Sequence, residues 1–382
     1  MFSENKMNIL GDFRGRICYM TRHSPIISEC AGGAEAQLYL IGKGLIERGW
    51  GCYYVINDLG QRNTEIAEGM VFHKLRECVK PSQNIRGFIS SAVDVFSFNA
   101  LRRSDADIIH VRGSGRHVGY AGYYAKRAGK HFVFTTAHSD DCVFSGGGLW
   151  RDRGWLDSKA YRVGLNSADC VITISKTLKE GMSRIYEGDI RVIRLGYPVL
   201  EQKQKPPQKT VLWVGRMVDW KHPEKYVKLA DALPEYEFIM IGEGSNVKKH
   251  EICGGLVDGL PKNLRFIEYV PFKEIDKFFQ QASVFVDTSE SGGFNNTFVQ
   301  AWMNSTPAVT VDFDPDEVVC DNKLGFHSKD MNQMIEDVRE LMENDSLRKR
   351  LGANARKYAV KNHDIRDTVK EHEKLYAELL RK

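Results

Sequence analysis

The stretch VFVDTSESGGFNNTFVQAWMNSTP, residues 284–307, decides the fold class of this chain. It predicts a short apolar strand over 284–286, a polar turn rich in small residues, and a helix that begins near Asn295. Asn295 or Asn296 is a suitable N-cap, and Thr297 lies in the first turn. The free N–H groups and the dipole at such a helix start favour an anion, although an ordinary strand-to-helix joint has the same pattern.

The composition is that of a globular protein with two domains. The 382 residues are 42% hydrophobic and 27% charged, and the formal net charge is +4. This mild charge, without an arginine-rich arm, gives no support for a nucleic-acid partner. The eight cysteines are scattered, which predicts reduced thiols in a cytoplasmic protein. We see no secretory signal or long apolar run, so any membrane contact is expected to be peripheral.

Strands alternate with helices in the first half of the chain. The predicted strands cover 16–20, 52–56, 70–75, 108–111, 131–136 and 170–174. This alternation predicts a parallel sheet that is covered by helices on both faces. Ligands bind such sheets at the carboxyl ends of the strands, which directs attention to Gly32 and Gly33, to residues 112–114 and to residues 137–141.

His138 follows a predicted strand directly, beside Ser139, Asp140 and Asp141. An isolated histidine is more often structural, but this position favours a role in a site. The adjacent acids could instead suggest a metal, but two neighbouring aspartates and one histidine, without a third well-placed ligand, support a metal site poorly.

A loop over residues 146–157 combines tryptophans with arginines. It could close over an acceptor or touch anionic lipid, or its tryptophans could simply pack back onto the domain. The basic and aromatic residues considered for a membrane surface are Arg102, Arg103, Trp150, Arg151, Arg153 and Trp155.

A polar, proline-bearing segment, 201–209, reads as a linker, and a second α/β series follows it. Its predicted strands cover 210–214, 237–241, 264–267, 284–286 and, as the last core strand, 308–311; helices are predicted over 223–232, 272–281, 331–344, 346–359 and 365–381. We therefore predict an N-terminal domain over 1–200 and a C-terminal domain over 201–362. The last helix, 363–382, is expected to pack back onto the first domain.

Arg216 and Lys221 form a charge pair just past a predicted strand of the second domain. A rigid guanidinium and a mobile ammonium at that place suit a diphosphate, whereas the ordinary alternative is a solvated loop. Residues 295–297 are expected at the same edge of the same sheet, which favours the phosphate interpretation.

The chain resembles a known family, the group 1 retaining glycosyltransferases, over nearly its whole length. The stretches that carry the resemblance are GGAEAQLYLIGKGLIERGW, FVFTTAHSDD, SADCVITISKTLKEGM, VLWVGRMVDWKHPEKYVKLADALPEYEFIMIGEGS, NLRFIEYVP, SGGFNNTFVQAW and KDMNQMIEDVRELMENDSLRKRLG. The resemblance implies the α/β GT-B fold, in which two Rossmann-like domains face each other across a cleft. It also implies a nucleotide-sugar substrate.

The resemblance assigns roles to individual residues. Gly32 and Gly33 would approach the donor phosphate, and His138 would contact the donor sugar near the reacting carbon. Arg216 and Lys221 would hold the diphosphate. The other residues assigned to donor binding are Gly215, Val270, which would lie against the base through its backbone, Glu290, Gly293, Asn295, Asn296, Thr297 and Gln300.

This sequence departs from the family at a pair of glutamates that holds sugar hydroxyls and ribose. Gly292 takes the place of the first, and Gln300 takes the place of the second. Gln300 can still hydrogen-bond to ribose hydroxyls, whereas Gly292 has no side chain; Glu290 could substitute for it.

The implied function is metal-independent, retaining transfer of a hexose from a nucleoside diphosphate sugar, with UDP favoured over GDP. The acceptor would be a glycan, a lipid-linked molecule or a small hydroxyl compound. Two alternatives remain: a non-catalytic subunit that binds nucleotide sugar or glycan, and an epimerase or hydrolase on the same fold.

Overall fold

The computed structural model describes residues 13–27, 32–75, 98–144, 155–201, 209–243 and 259–382. Contacts divide the chain into two compact units. The first contains residues 1–173, 179–193 and 366–382, and the second contains residues 174–178 and 194–365.

The first unit is built on an eight-stranded sheet. Its strands are β1 (Arg16–Met20), β2 (Gly51–Asn57), β3 (Thr64–Ala67), β4 (Met70–Leu75), β5 (Ile108–Arg112), β6 (His131–Thr135), β7 (Cys170–Thr173) and β8 (Ile190–Val192). The spatial order is β3-β4-β2-β1-β5-β6-β7-β8, and neighbouring strands are parallel except for the antiparallel pair β3–β4. The edge strands β3 and β8 were not predicted, because neither has the buried apolar run of the central strands.

The helices of this part of the chain are α1 (Gly33–Ile46), α2 (Asn99–Ser104), α3 (Arg116–Ala128), α4 (Trp155–Leu165) and α5 (Lys176–Met182). The prediction of a loop throughout residues 146–157 is wrong at its end, because α4 begins at Trp155. Residues 145–154 of that loop lie outside the described residues.

The second unit contains a six-stranded, fully parallel sheet. Its strands are β9 (Thr210–Arg216), β10 (Glu237–Glu243), β11 (Leu264–Ile267), β12 (Val284–Asp287), β13 (Ala308–Thr310) and β14 (Gly325–His327), in the order β11-β10-β9-β12-β13-β14. The prediction that β13 is the last strand is wrong, since β14 pairs with it. The short sequence of β14, GFH, has too few apolar residues to be recognised as a strand.

The remaining helices are α6 (Pro223–Ala232), α7 (Asp276–Gln281), α8 (Asn296–Met303), α9 (Val318–Asp321), α10 (Met331–Glu343), α11 (Asp345–Asn362) and α12 (Ile365–Leu379). Residues 345–346 are predicted to form the break and the N-cap between α10 and α11, but the N-cap is Asn344, whose side chain accepts the Leu347 N–H at 3.0 Å. The helix predicted from residue 272 begins only at Asp276.

The C-terminal helix α12 is joined to the rest of the first unit by polar contacts. Tyr376 contacts His110 Nδ1 at 2.6 Å, and Glu373 accepts hydrogen bonds from Arg14, Arg48 and Trp50. These bonds connect the end of the chain with strand β5 and with the segments around β1 and α1.

Candidate functional site

The carboxyl ends of β9 and β12 lie side by side, because these strands are parallel neighbours in the second sheet. Two hydrogen bonds join the loops that follow them. Thr288 Oγ1 donates to the carbonyl of Lys221 at 2.6 Å, and the N–H of Glu290 donates to the carbonyl of Trp220 at 3.0 Å. The predicted charge pair and the glycine turn therefore belong to one connected edge of the sheet.

Lys221 is buried at this edge, with 8% of its surface exposed. Its ammonium donates to Ser289 Oγ at 2.9 Å and lies 3.7 Å from Asp287 Oδ2. Burial lowers the pKa of Lys221, the carboxylate of Asp287 opposes that change, and the positive charge of Arg216 adds to it. The two predicted cations are thus close enough to affect each other electrostatically, so a bound anion would relieve their repulsion.

Arg216 is the last residue of β9 and is exposed. Among the described residues, its guanidinium has no ion-pair partner or hydrogen-bond acceptor. A guanidinium held at a strand end with its five donors free is suited to bind a phosphate in a bidentate way.

Asn295 occupies the N-cap position of α8, as predicted, but its side chain does not cap the helix. Its amide donates instead to Asp287 Oδ2 at 2.9 Å, because that carboxylate lies at the neighbouring strand end. The N-cap position predicted for Asn295 is therefore confirmed, but the side-chain capping bond that is usual at this position is absent. The N–H groups of the first helical turn receive no side-chain cap from it, and these are the groups that bind anions at helix starts.

Thr297 lies in the same first turn, and its Oγ1 is buried without a hydrogen-bond partner among the described residues. Asn296 is the first residue of α8 and is half-buried. A buried hydroxyl of this kind costs about 1–3 kcal/mol when it stays unsatisfied. An oxygen-rich ligand at the turn would remove that cost.

The glycine turn has Glu290 on its exposed side. The Glu290 carboxylate lies 3.0 Å from His222 Nε2, so it has a protein partner before any ligand binds. Gly292 and Gly293 are buried. A Cβ placed on Gly292 would lie 3.4 Å from the Phe313 ring, so the turn is closely covered at this point.

Gly215, the residue before Arg216, is needed for packing. A Cβ there would lie 2.9 Å from the ring of Trp213, whose indole N–H donates to Thr288 Oγ1 at 2.9 Å. Val270 lies in the segment after β11 and is half-buried. The expected contacts of Gly215 and Val270 with a donor stay predictions.

Gln300 is buried on α8, and its amide donates to the hydroxyl of Tyr197 at 3.1 Å. That hydroxyl lies 3.0 Å from both carboxylate oxygens of Asp276. Sequence analysis missed this chain of hydrogen bonds, because Tyr197 is 79 residues from Asp276 and 103 residues from Gln300 in the sequence. The expected role of Gln300 toward ribose stays a prediction.

The first unit has a second polar edge, which is organised by the buried carboxylate of Asp141. It accepts backbone N–H groups from Ser114 at 2.8 Å, Ala137 at 2.5 Å and His138 at 3.0 Å. Since Ser114 follows β5 and His138 follows β6, Asp141 fixes two strand-end loops against each other. These three backbone bonds make Asp141 a structural anchor for His138.

His138 is buried at the start of a short 3₁₀ helix, Ser139–Cys142. Its Nδ1 accepts the Asp140 N–H at 3.2 Å. A neutral ring with an accepting Nδ1 carries its proton on Nε2, so Nε2 is then the donor atom of this buried side chain. The described residues contain one group of three potential metal ligands, and His138 is not among them.

Arg112 adds a positive charge to this edge. Burial lowers its pKa to about 10, while the carboxylates of Glu35 and Asp141 oppose that change. Glu35 lies in the first turn of α1, which has Gly32 at its N-cap and Gly33 as its first residue. The strand-end rule had marked residues 112–114, residues 137–141 with Asp141, and the glycine pair, whereas Glu35 was missed as a functional candidate.

The predicted membrane-facing residues are only partly described. Trp150, Arg151 and Arg153 lie outside the described residues, while Trp155 is 71% exposed. Arg102 is exposed at the end of α2. Arg103 donates to the Lys74 carbonyl at 2.7 Å. Within the described part of the chain, no helix is long and apolar enough to span a membrane.

Both halves of the chain match glycosyltransferase family models. Residues 200–358 match the family described as glycosyl transferases group 1, and residues 31–199 match glycosyltransferase family 4. The two matches together span residues 31–358, and the chain belongs to the group 1, family 4-like glycosyltransferases. An uncharacterized glycosyltransferase of Methanocaldococcus jannaschii is 26% identical over 59% of this chain and 62% of its own length. The chain thus spans about three fifths of that curated relative.

Solved structures show that the glycosyltransferase fold extends over almost the whole chain. Sucrose-phosphate synthase from Thermosynechococcus elongatus has a TM-score of 0.79 at 17% identity, covering 96% of this chain and 99% of its own. HepE of Anabaena, in complex with UDP and glucose, has a TM-score of 0.69 at 14% identity, covering 95% and 100%. The predicted α/β fold with two Rossmann-like units, the GT-B fold, is confirmed.

Proposed function

We propose that this chain is a retaining, metal-independent hexosyltransferase that uses a nucleoside diphosphate sugar. The observation that carries the proposal is the edge of the second sheet, where Arg216 and Lys221 lie beside the start of α8. Family membership supports the reaction class. The complex of HepE with UDP supports the proposal that the present chain also uses a uridine nucleotide.

The chemistry asked of this edge is to stabilise the charge that develops on the leaving diphosphate. The bond between the sugar carbon and the diphosphate oxygen breaks, and the acceptor oxygen forms a bond on the same face. The acceptor proton passes to a phosphate oxygen. Arg216, Lys221 and the N–H groups at Asn296 and Thr297 would offset the negative charge, which is commonly the largest catalytic contribution.

The proposed acceptor is a glycan, a lipid-linked molecule or a small hydroxyl compound, and the proposed compartment is the cytoplasm. The expected contact of His138 with the donor sugar belongs to the same proposal. It is supported by the loop geometry, in which Asp141 holds the backbone N–H of His138 and the Asp140 N–H donates to Nδ1 of the ring.

The alternative of a non-catalytic binding subunit has one observation in its favour. Gly292 supplies no side chain where the family has a glutamate, and the nearby Glu290 carboxylate is already bonded to His222. A binding subunit would need the cations at the sheet edge but would not need a group beside the sugar.

Arg216→Ala is the decisive variant, because Arg216 is exposed and its loss should leave the fold intact. We expect the purified chain to release UDP from a UDP-sugar in the presence of acceptor, and the variant to be slower by about 100-fold in kcat. Arg265→Ala, at an exposed arginine of β11, is the matched control and should keep full activity.

A panel of UDP- and GDP-sugars, with and without acceptors, separates the candidate functions. Binding of a nucleotide sugar, without formation of free nucleoside diphosphate under any condition, would favour the non-catalytic subunit. Equal activity of the Arg216→Ala and Arg265→Ala variants would contradict the proposed donor site. Activity that survives EDTA would agree with metal-independent transfer, and a product with the anomeric configuration of the donor would agree with retention.

A further inference from the structure

Three side chains of different chemistry meet in the segment between β13 and the end of β14. Asp314, Cys320 and His327 each offer one ligand atom, and these atoms all lie within 4.8 Å of one another. The oxygen, sulfur and nitrogen come from only fourteen residues of chain, and they belong to neither of the two polar edges described above.

The backbone of this segment holds the carboxylate in place. Asp314 Oδ1 accepts the N–H of Val319 at 2.9 Å, and Oδ2 accepts the N–H of Cys320 at 3.1 Å. Each carboxylate oxygen keeps another lone pair, so these bonds orient the group without using up its capacity as a ligand. Asp314 is thus oriented by backbone hydrogen bonds in the way that metal-binding carboxylates commonly are.

The other two positions are equally well defined. His327 ends β14, which pairs with β13 through Thr310, so its backbone is fixed by the sheet. No described residue forms a hydrogen bond with the His327 ring. Cys320 lies on α9 and is exposed, so solvent can reach the space between the three groups.

We propose that Asp314, Cys320 and His327 bind a zinc ion, with a water molecule as the fourth ligand. Thiolate, imidazole and carboxylate together match zinc, whereas magnesium and calcium prefer oxygen ligands alone. The thiol of Cys320 releases its proton to solvent when the metal binds, as zinc–thiolate coordination requires.

The location gives the ion a structural consequence. Asp314 follows Phe313, whose ring covers Gly292 in the glycine turn. The segment also contains Asp316 and Glu317 in left-handed backbone conformations, with φ of 53° and 59°. A bound ion would therefore stabilise a strained segment next to the turn, without taking part in the transfer reaction itself.

Cobalt titration of the full chain tests the proposal. After removal of metals with a chelator, we expect one Co²⁺ per chain, with the absorption band of a cobalt–thiolate bond, and displacement by Zn²⁺. Cys320→Ser should abolish that band, and His327→Asn should weaken binding by at least about tenfold, since even outer-shell partners are worth 10–100-fold. Cys142→Ser, at a half-buried thiol in the other unit, is the matched control and should behave as wild type.

The proposal is overturned if wild type shows no thiolate band, or if the Cys320→Ser variant keeps it. Thermal melts of both variants in the absence of metal show whether they fold. If the Cys320→Ser variant is unstable, the His327→Asn variant decides: unchanged cobalt affinity then rules out the site. None of these measurements depends on glycosyltransferase activity.

Discussion

Lys221 is the residue in which stability and proposed function are most closely linked. Its ammonium is buried against Asp287 and Ser289, so these contacts belong to the folded protein without a bound phosphate. The carboxylate of Asp287 depends on it in turn, together with the N–H of Ser289 and the amide of Asn295. A loss of activity in a Lys221 variant alone would therefore be ambiguous, in contrast to a loss at exposed Arg216.

Replacing Lys221 by methionine should lower the free energy of unfolding by about 3 kcal/mol, because it leaves a buried carboxylate without its cation. Urea denaturation measures this change. Asp287→Asn added to Lys221→Met should recover part of the loss, since the uncompensated charge is then gone. If the double variant is less stable than Lys221→Met by the full cost of Asp287→Asn, the two residues are not coupled.

His372 is a buried group whose protonation should oppose folding. Burial lowers its pKa to about 4, the hydrogen bond to the Thr368 carbonyl opposes that change, and the charge of Arg112 adds to it. In the unfolded chain a histidine binds a proton near pH 6.5. The stabilising contribution is therefore complete above pH 6.5 and is lost as the pH falls from 6.5 toward 4.

The expected slope for His372 is about 1.4 kcal/mol of unfolding free energy per pH unit within that window. Urea denaturation of His372→Asn between pH 6 and pH 5 should show a slope that is smaller than in wild type by this amount. Lys374→Asn, on the exposed side of the same helix, is the control. Parallel slopes for wild type and the His372→Asn variant would refute the assignment.

At the scale of elements, helices α3 and α4 are brought together by glycines. A Cβ on Gly164 would lie 2.3 Å from the Val118 carbonyl oxygen, and one on Gly119 would lie 2.4 Å from the Ala160 carbonyl oxygen. Backbone atoms cannot move aside as a flexible side chain can. These two helices can therefore keep their spacing only while both positions lack a side chain.

Gly164→Ala should accordingly destabilise the first unit by about 1–3 kcal/mol, the usual cost of overpacking. Val163→Ala is the control, because Val163 lies beside it on the same helix and is 47% exposed. Its effect should stay within about 0.5 kcal/mol. Chemical denaturation measures both variants, and equal stabilities would show that the helices separate at little cost.

At the scale of the whole molecule, each unit has its own hydrophobic core. The first is centred on buried residues of β1, β5 and β6, and the second on buried residues of β9, β12 and α10. Separate cores permit separate unfolding transitions, because chains with more than one such unit need not unfold in a single step. A ligand that binds one unit should then stabilise that unit's transition.

UDP should raise the midpoint temperature of one unfolding transition and leave the other unchanged, and calorimetry measures both. At a UDP concentration of about 100 times Kd, the expected stabilisation is about 2.7 kcal/mol. The Arg216→Ala variant should lose this response while keeping both transitions. A UDP response that is the same in the Arg216→Ala variant would place the nucleotide away from the edge of β9.

The sequence by itself determined the alternation of strands and helices, because apolar runs and helical periodicity are local properties. It also determined that Arg216, Lys221 and residues 295–297 share one edge of a parallel sheet, since all follow the carboxyl ends of strands. The tertiary structure alone decided the partners of these groups. The Asn295 amide bonds to Asp287 instead of capping α8, and Asp141 gathers backbone groups from two loops. The Asn295 bond depends on the folded shape of the turn between Asp287 and α8, and the Asp141 bonds depend on which strands become neighbours, an order that is set by packing of the complete sheet.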